Sequence, residues 1–232
     1  MAFSEEILIM NETKKIPVLE RVMKKNEQIA AEVREQLHEK GIVTFNFMGS
    51  PGGGKTTLIE ETIKRLQGKK RVAVIEGDLA TTIDAERIRH YGVKVLQINT
   101  GSMCHLDIRL ITQALEKIDL SDIDFLFIEN VGNLVCPSSH DLGEDYRIIL
   151  ASVPEGPFKP KKYPVIYKEA DAVIITKTDL LEYFPDFKVE ILFQHAKEIQ
   201  PEIKTFVVAL KGEKIIIDDW ITWIEQAKPK KR

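Results

Sequence analysis

Apolar residues along this chain keep two different rhythms in alternation. Four short, mainly apolar runs, Val43-Thr-Phe-Asn-Phe-Met48, Val72-Ala-Val-Ile75, Phe125-Leu-Phe-Ile128 and Ala172-Val-Ile-Ile175, predict strands buried on both faces. Val93-Lys-Val-Leu-Gln-Ile98 and Thr205-Phe-Val-Val208 are weaker runs of the same kind. Between them the period lengthens. Leu58, Ile59, Ile63 and Leu66 predict a helix over 57–66, and helical spacing recurs around 83–90, 106–117, 187–199 and 217–227. Ahead of the first strand, Val22, Ile29, Val33 and Leu37 predict an amphipathic helix over 18–39. Strands taking turns with helices predict an α/β fold, a mostly parallel sheet covered by helices on both faces. The proline- and lysine-rich stretch from Val153 to Pro164 predicts an inserted loop without regular structure. The chain divides into a helical extension over 1–40, a main domain over 41–227 and a basic tail, Lys228-Pro-Lys-Lys-Arg232, read as solvated. It shows no internal repeat.

Composition narrows the class. With 44% hydrophobic and 30% charged residues, 232 residues suffice for a sizeable core. A net charge of −3 supplies no pull toward nucleic acid or an anionic membrane. No stretch approaches the roughly 18 apolar residues of a membrane span. The start, Met1-Ala-Phe-Ser-Glu-Glu6, is acidic and does not read as a signal peptide. Cys104 and Cys136 are too few for a disulfide framework, and free thiols suit a reducing cytoplasm.

The candidate chemistry starts at Gly49-Ser-Pro-Gly-Gly-Gly-Lys55-Thr56, which fits G-x-x-x-x-G-K-T between a predicted strand and a predicted helix. Such a loop turns backbone N–H groups toward phosphates, with the helix N-terminus behind them. Gly49, Gly52, Gly53 and Gly54 supply the turn, Lys55 reaches the outer phosphates, and Thr56 faces Mg²⁺ with Thr57 beside it. The expected ligand is a nucleoside triphosphate. In open α/β sheets ligands sit beyond the carboxyl ends of strands, and three predicted strands end in charge: Glu76-Gly-Asp78, Glu129-Asn-Val-Gly132 and Thr176-Lys-Thr-Asp179. Asp78 and Glu129 are the candidate Mg²⁺ ligands, directly or through water, and with Lys55 they form the expected catalytic set. Gly132 would let a backbone N–H approach the γ-phosphate, as in GTPase switches. Thr176-Lys177-Thr-Asp179 resembles the guanine-reading N-K-x-D motif. There the aspartate accepts from guanine and the lysine stem packs over the base; Thr176 departs from the usual asparagine.

Cys104-His105 and Cys136 lie beyond strand ends on the same rim. Two thiols and an imidazole make three soft or borderline ligands, suited to Ni²⁺ or Zn²⁺. Three ligands leave a tetrahedral site open, or shared with a second copy of the chain.

With Asn26-Glu-Gln-Ile-Ala30, the phosphate loop, Asp84-Ala-Glu-Arg-Ile88, Cys104-His-Leu-Asp107, Glu129-Asn-Val-Gly-Asn-Leu-Val-Cys-Pro137 and Asp141-Leu-Gly143 assembled, the chain resembles the HypB family. These are GTPases that help load nickel into nickel–iron hydrogenases, and the resemblance covers about residues 17–227. It implies a P-loop NTPase of the SIMIBI type, GTP with Mg²⁺, slow hydrolysis, and a homodimer. It also implies a metal site at the dimer interface, built from Cys104, His105 and Cys136 of each subunit. A lysine of Lys159-Pro-Lys-Lys-Tyr-Pro164 would reach the nucleotide across the dimer, Lys162 ahead of Lys159. A nickel-binding accessory protein and the hydrogenase large subunit would be partners. The chain lacks the cysteine cluster or histidine-rich stretch of nickel-storing members, and Val207-Val-Ala-Leu-Lys-Gly212 departs from the usual guanine-contacting loop. Two alternatives share the phosphate loop. A small-molecule P-loop kinase would need neither Thr176–Asp179 nor the thiols. A urease-type nickel-insertion GTPase would typically carry Cys-Pro-His.

Overall fold

The computed structural model describes residues 17–212 and 215–230, with side chains from Met23 onward. Seven strands form one all-parallel sheet: β1 (Val43–Gly49), β2 (Val72–Asp78), β3 (Lys94–Asn99), β4 (Phe125–Glu129), β5 (Tyr146–Ser152), β6 (Ala172–Thr176) and β7 (Lys204–Val207). Across the sheet they run β3-β2-β4-β1-β5-β6-β7. The two-residue period of a strand sorts their side chains. Phe45 and Phe47, Val72 and Val74, Phe125 and Phe127, and Ile148 and Leu150 point to one face. There they meet Leu58, Ile59 and Ile63 of α2 (Lys55–Leu66) and Trp220, Ile221 and Ile224 of α8 (Asp218–Glu225). The residues between them serve the other face. Ala73, Ile75, Leu126 and Ile128 pack on α1 (Pro17–Glu39) and α4 (Ile108–Leu115), and Ile149, Ala151, Val173 and Ile175 on α6 (Pro164–Lys168) and α7 (Val189–Ile199). The remaining helices are α3 (Ile83–Arg89) and α5 (Lys159–Lys162).

Aromatic rings lock the first face: Trp220 meets Phe47 edge-on at 6.1 Å, and its indole N–H donates to the buried Thr62 hydroxyl at 2.9 Å. On the opposite face Val33 and Leu37 of α1 are buried and Ile29 packs beside them, as their spacing predicts; the Val22 side chain lies outside the described residues. Arg34 of α1 pairs with both oxygens of Asp141 at 2.6 and 2.7 Å, and His38 meets Asp145 at 2.6 Å.

Three expectations need correction. β5 was not foreseen, although it lies beside β1 at the centre of the sheet. Its run opens with Tyr146-Arg147, and the guanidinium is buried only because Glu144 meets it at 2.5 Å. Val153 to Pro164 is not an irregular loop. Glu155 accepts from the Ser152 N–H at 2.9 Å and closes a capping box around the 3₁₀ turn Val153–Glu155, and α5 follows. Pro154, Pro160 and Pro164 sit in first turns, where no N–H is missed. The described part of the tail is exposed but not frayed: Lys230 donates its backbone N–H to Asp145 at 2.7 Å, and its amine pairs with Asp171. Residues 1–16, Lys231 and Arg232 lie outside the described residues.

Candidate nucleotide and metal site

The carboxyl ends of β1, β2, β4 and β6 share one rim. The phosphate loop leaves β1 at Gly49 and delivers Lys55 as the first residue of α2. Gly54, at φ 92°, turns the chain into the helix, and an added Cβ there would sit 3.6 Å from the Thr176 hydroxyl. The Gly53 N–H donates to Ser50 O at 3.0 Å, curling the loop. Lys55 is buried, with its ammonium 3.4 Å from the carbonyls of Gly49 and Ser50. A cavity of about 390 Å³ opens over the loop, lined by Gly52, Lys55, Thr56 and Thr57 on one side and by Glu76, Asp78, Glu129 and Gly132 on the other.

The acids divide in two. Glu76 and Glu129 are neighbours across the β2–β4 ladder and both are buried. Burial, with the charge of Glu129 nearby, pushes the Glu76 carboxyl up to about 8. Burial pushes Glu129 up to about 7, against the pull of Lys55 and the Thr56 hydroxyl, which donates to it at 2.8 Å. One oxygen of each, Oε2, is buried without a hydrogen-bond partner among the described residues. Orphaned carboxylate oxygens beside a threonine hydroxyl and a lysine suit a hard divalent cation, so these residues fit Mg²⁺. Asp78 behaves otherwise. Burial opposes its charge, but the hydroxyl and N–H of Thr81 bond it at 2.6 and 2.9 Å and hold the carboxyl below its ordinary range.

Sequence reasoning had passed over Glu76 and Arg87. Arg87 of α3 lines the cavity and pairs with Glu60 at 2.6 Å and Asp84 at 2.9 Å, setting a second cation near Lys55. The signal was present in Glu76-Gly-Asp78, where the first acid, not the last, points into the sheet. Gly132 answers to crowding: an added Cβ would lie 2.9 Å from Pro51 of the phosphate loop.

A second cavity of about 260 Å³ adjoins the first and shares Gly54, Thr57 and Lys177 with it. Asp179, Leu210 and Lys211 complete it. Lys177 stands at φ 58°, a left-handed conformation that a lysine adopts only under constraint. Thr176, the departure from asparagine, is buried and donates to Gly53 O at 2.7 Å, tying the end of β6 to the phosphate loop. Asp179 is exposed and has no hydrogen-bond or ion-pair partner among the described residues. Ala209 and Ile216 exchange backbone hydrogen bonds at 3.0 and 2.8 Å in an antiparallel bridge beside the cavity. Of the two lysines expected near the nucleotide, Lys159 is held at its own phosphate loop, 3.0 Å from the Ser50 hydroxyl and 2.7 Å from Glu155. Lys162 is exposed and lines neither cavity.

The structure brings both thiols and the imidazole together. Ligand atoms of Cys104, His105 and Cys136 lie within 4.8 Å of one another. Both cysteines are free, with sulfurs 2.7 Å apart and His105 Nδ1 3.8 Å from Cys104 Sγ. The neighbouring Cys136 thiol, then burial, push the Cys104 thiol up, while burial and His140 hold His105 low.

Fold and site together define a P-loop nucleotide-binding protein with a thiol–imidazole cluster on the nucleotide rim. Residues 43–207 match the model of the CobW/HypB/UreG nucleotide-binding domain. A hydrogenase maturation factor HypB from Azotobacter chroococcum is 41% identical over 220 residues, 94% of this chain and 71% of its own. A hydrogenase/urease maturation factor HypB from Helicobacter pylori is 43% identical over 88% of this chain and 85% of its own. Among solved structures, HypB from Archaeoglobus fulgidus superposes with a TM-score of 0.79 at 41% identity, covering 87% of this chain and 97% of its own. HypB from Helicobacter pylori in complex with nickel gives 0.80 at 42%, covering 86% and 93%. The chain belongs to the HypB family of hydrogenase maturation factors.

Proposed function

We propose that this protein is a GTP-hydrolysing switch that carries nickel to a nickel–iron hydrogenase during its maturation. The observation that carries the reading is adjacency: only the segment from Gly132 to Cys136 separates the phosphate cavity from the thiol cluster. Phosphoryl transfer to water asks for positioning and charge stabilisation, with little covalent work from the protein. Lys55 and Arg87 set positive charge at the outer phosphates. Thr56, Glu76 and Glu129 would hold Mg²⁺, with Asp78 reaching it through water; bound there, the ion neutralises charge on the β- and γ-oxygens. Asp179 offers an unpartnered carboxylate to the guanine edge, and the Lys177 stem covers the base.

The cargo is Ni²⁺, or Zn²⁺ in competition with it, on Cys104, His105 and Cys136. The protein works in the cytoplasm as a homodimer, receiving metal from a nickel-binding accessory protein and passing it toward the hydrogenase large subunit. Lys159, already at the phosphate loop, is the better candidate of its segment for contact with nucleotide.

The test is a paired titration of GTP and ATP, then of Ni²⁺ with and without a non-hydrolysable GTP analogue. The reading requires GTP to bind tighter than ATP, Lys55→Ala to lose hydrolysis, and that variant to keep nucleotide-free Ni²⁺ binding. Equal affinity for GTP and ATP sinks the guanine assignment. Joint loss of hydrolysis and metal binding in Lys55→Ala points to misfolding.

A further inference from the structure

His140 has no role in the reading above, yet it stands at the thiol cluster. The chain brings it there through a single 3₁₀ turn, Cys136–Ser139, which the His140 N–H caps by donating to Pro137 O at 3.3 Å. The side chain folds back over that turn, so that Nδ1 lies 2.9 Å from the backbone carbonyl of Cys136. A carbonyl only accepts, so Nδ1 carries the proton and donates. The neutral ring is thereby set in the tautomer whose Nε2 lone pair is free. Metal-binding imidazoles have this arrangement, with one nitrogen donating to a carbonyl or carboxylate and the other on the ion. The backbone beneath the ring is anchored as well: His140 O accepts from the buried Arg147 guanidinium at 3.2 Å, and Arg147 is pinned by Glu144. The ring packs against His105 with centroids 4.0 Å apart at 38°.

We propose that His140 is the fourth protein ligand of the thiol site, so that Cys104, His105, Cys136 and His140 close a Cys₂His₂ metal site within one chain. This rests on the reading of the first three as metal ligands. Three protein ligands leave a tetrahedral ion incomplete, while two thiolates and two imidazoles satisfy it. The His140 ring now stands outside the 4.8 Å group of the other three and against His105. Ligation needs the ring to tilt Nε2 toward the sulfurs while Nδ1 keeps its bond to the Cys136 carbonyl, on a backbone that is already fixed. A site completed in this way takes one metal per chain. One completed by the partner's thiols across a two-fold axis takes one per two chains.

The experiment uses the full chain and Co²⁺, whose visible absorption reports coordination number and thiolate content, with Zn²⁺ competition for affinity. The wild type should bind one Co²⁺ per chain with an intense four-coordinate, two-thiolate spectrum. His140→Ala should keep the thiolate bands, shift the ligand-field bands as water takes the place of the imidazole, and bind Zn²⁺ about tenfold or more weakly. His140→Gln repeats the test with a larger polar side chain, and circular dichroism with the melting transition confirms that both variants fold. One metal per two wild-type chains overturns the proposal. So does an unchanged spectrum in His140→Ala, whatever its affinity, because a residue that merely steadies His105 would leave the set of ligands intact. Failure of the underlying reading shows elsewhere: Cys104→Ser or Cys136→Ser would leave the thiolate bands unaltered.

Discussion

Asn133 donates its side-chain amide to the backbone carbonyl of Cys104 at 3.2 Å. The same residue bridges to Gly49 at the foot of the phosphate loop, and its amide oxygen accepts from Val135 N–H at 2.9 Å, one residue before Cys136. One residue thus reaches the nucleotide loop through its backbone and both thiol-bearing segments through its side chain. Metal should bind more tightly in the GTP state than in the GDP state, and by linkage metal must tighten GTP by the same factor. Couplings of this kind typically reach about 5–150-fold. Asn133→Ala should bring the ratio of the two metal affinities close to one. The check is metal titration in both nucleotide states, and a ratio that survives the substitution removes Asn133 from the link.

Thr176 replaces the customary asparagine without abandoning a tie to the phosphate loop. Thr176→Val keeps the shape but leaves the Gly53 carbonyl without its donor, at a cost of about 1–3 kcal/mol. Nucleotide affinity should fall by on the order of tenfold, read by fluorescence titration with a labelled GDP. Thr176→Ser should bind almost as the wild type does. Weakening by Ser with none by Val would show that the methyl, not the hydroxyl, matters.

Asp179→Asn exchanges a charged acceptor for a group that offers guanine a donor. GTP affinity should drop by about 1.5–3 kcal/mol, while xanthosine triphosphate gains. Competition binding of the two nucleotides checks this. If GTP loses nothing, the second cavity does not read the base.

Glu76 and Glu129 set a pH dependence of unusual sign. Their folded-state values, about 8 and about 7, stand above the ordinary 4.5. Across that interval the folded chain binds more protons than the unfolded one, so ligand-free stability falls as pH rises from about 4.5 toward 8. Mg²⁺ with nucleotide needs both carboxylates ionised, so its stabilising effect should grow over the same range. Melting curves at pH 5.5 and 8.5, with and without Mg²⁺·GTP, read both trends. Glu76→Gln should flatten the ligand-free slope, and an unchanged slope would assign it to other groups.

Legibility from the chain followed contrast. β1, β2, β4 and β6 announce themselves because they are short, mainly apolar runs buried on both faces, and the phosphate loop because its glycines and Lys55 have fixed spacing. The thiol cluster was legible too, since Cys104, His105 and Cys136 all follow strand ends. β5 stayed hidden because Arg147 is neutralised by Glu144, a pairing that no hydropathy pattern records. Glu76 escaped because an acid inside a strand run reads as its exposed end, whereas the β2–β4 ladder buries it beside Glu129. His140 escaped for a different reason. Its ring meets His105 through a local turn, and a lone histidine after Cys-Pro carries no spacing signature.

The place of β1 in the sheet bears on how the protein is made. Its two partners are β4 and β5, with Val43 opposite Phe125 and Phe45 opposite Tyr146. The ribosome therefore releases the phosphate-loop strand about 80–100 residues before anything exists to hold it, and such distant pairings form slowly. Until Ser152 has emerged, the G-x-x-x-x-G-K-T segment is only a glycine-rich stretch of chain. The acid that will face it, Glu129, arrives on one flanking strand, and Glu155 and Lys159, which brace Ser50, arrive just behind the other. The nascent chain cannot bind nucleotide early, and the site first exists when the middle of the sheet closes.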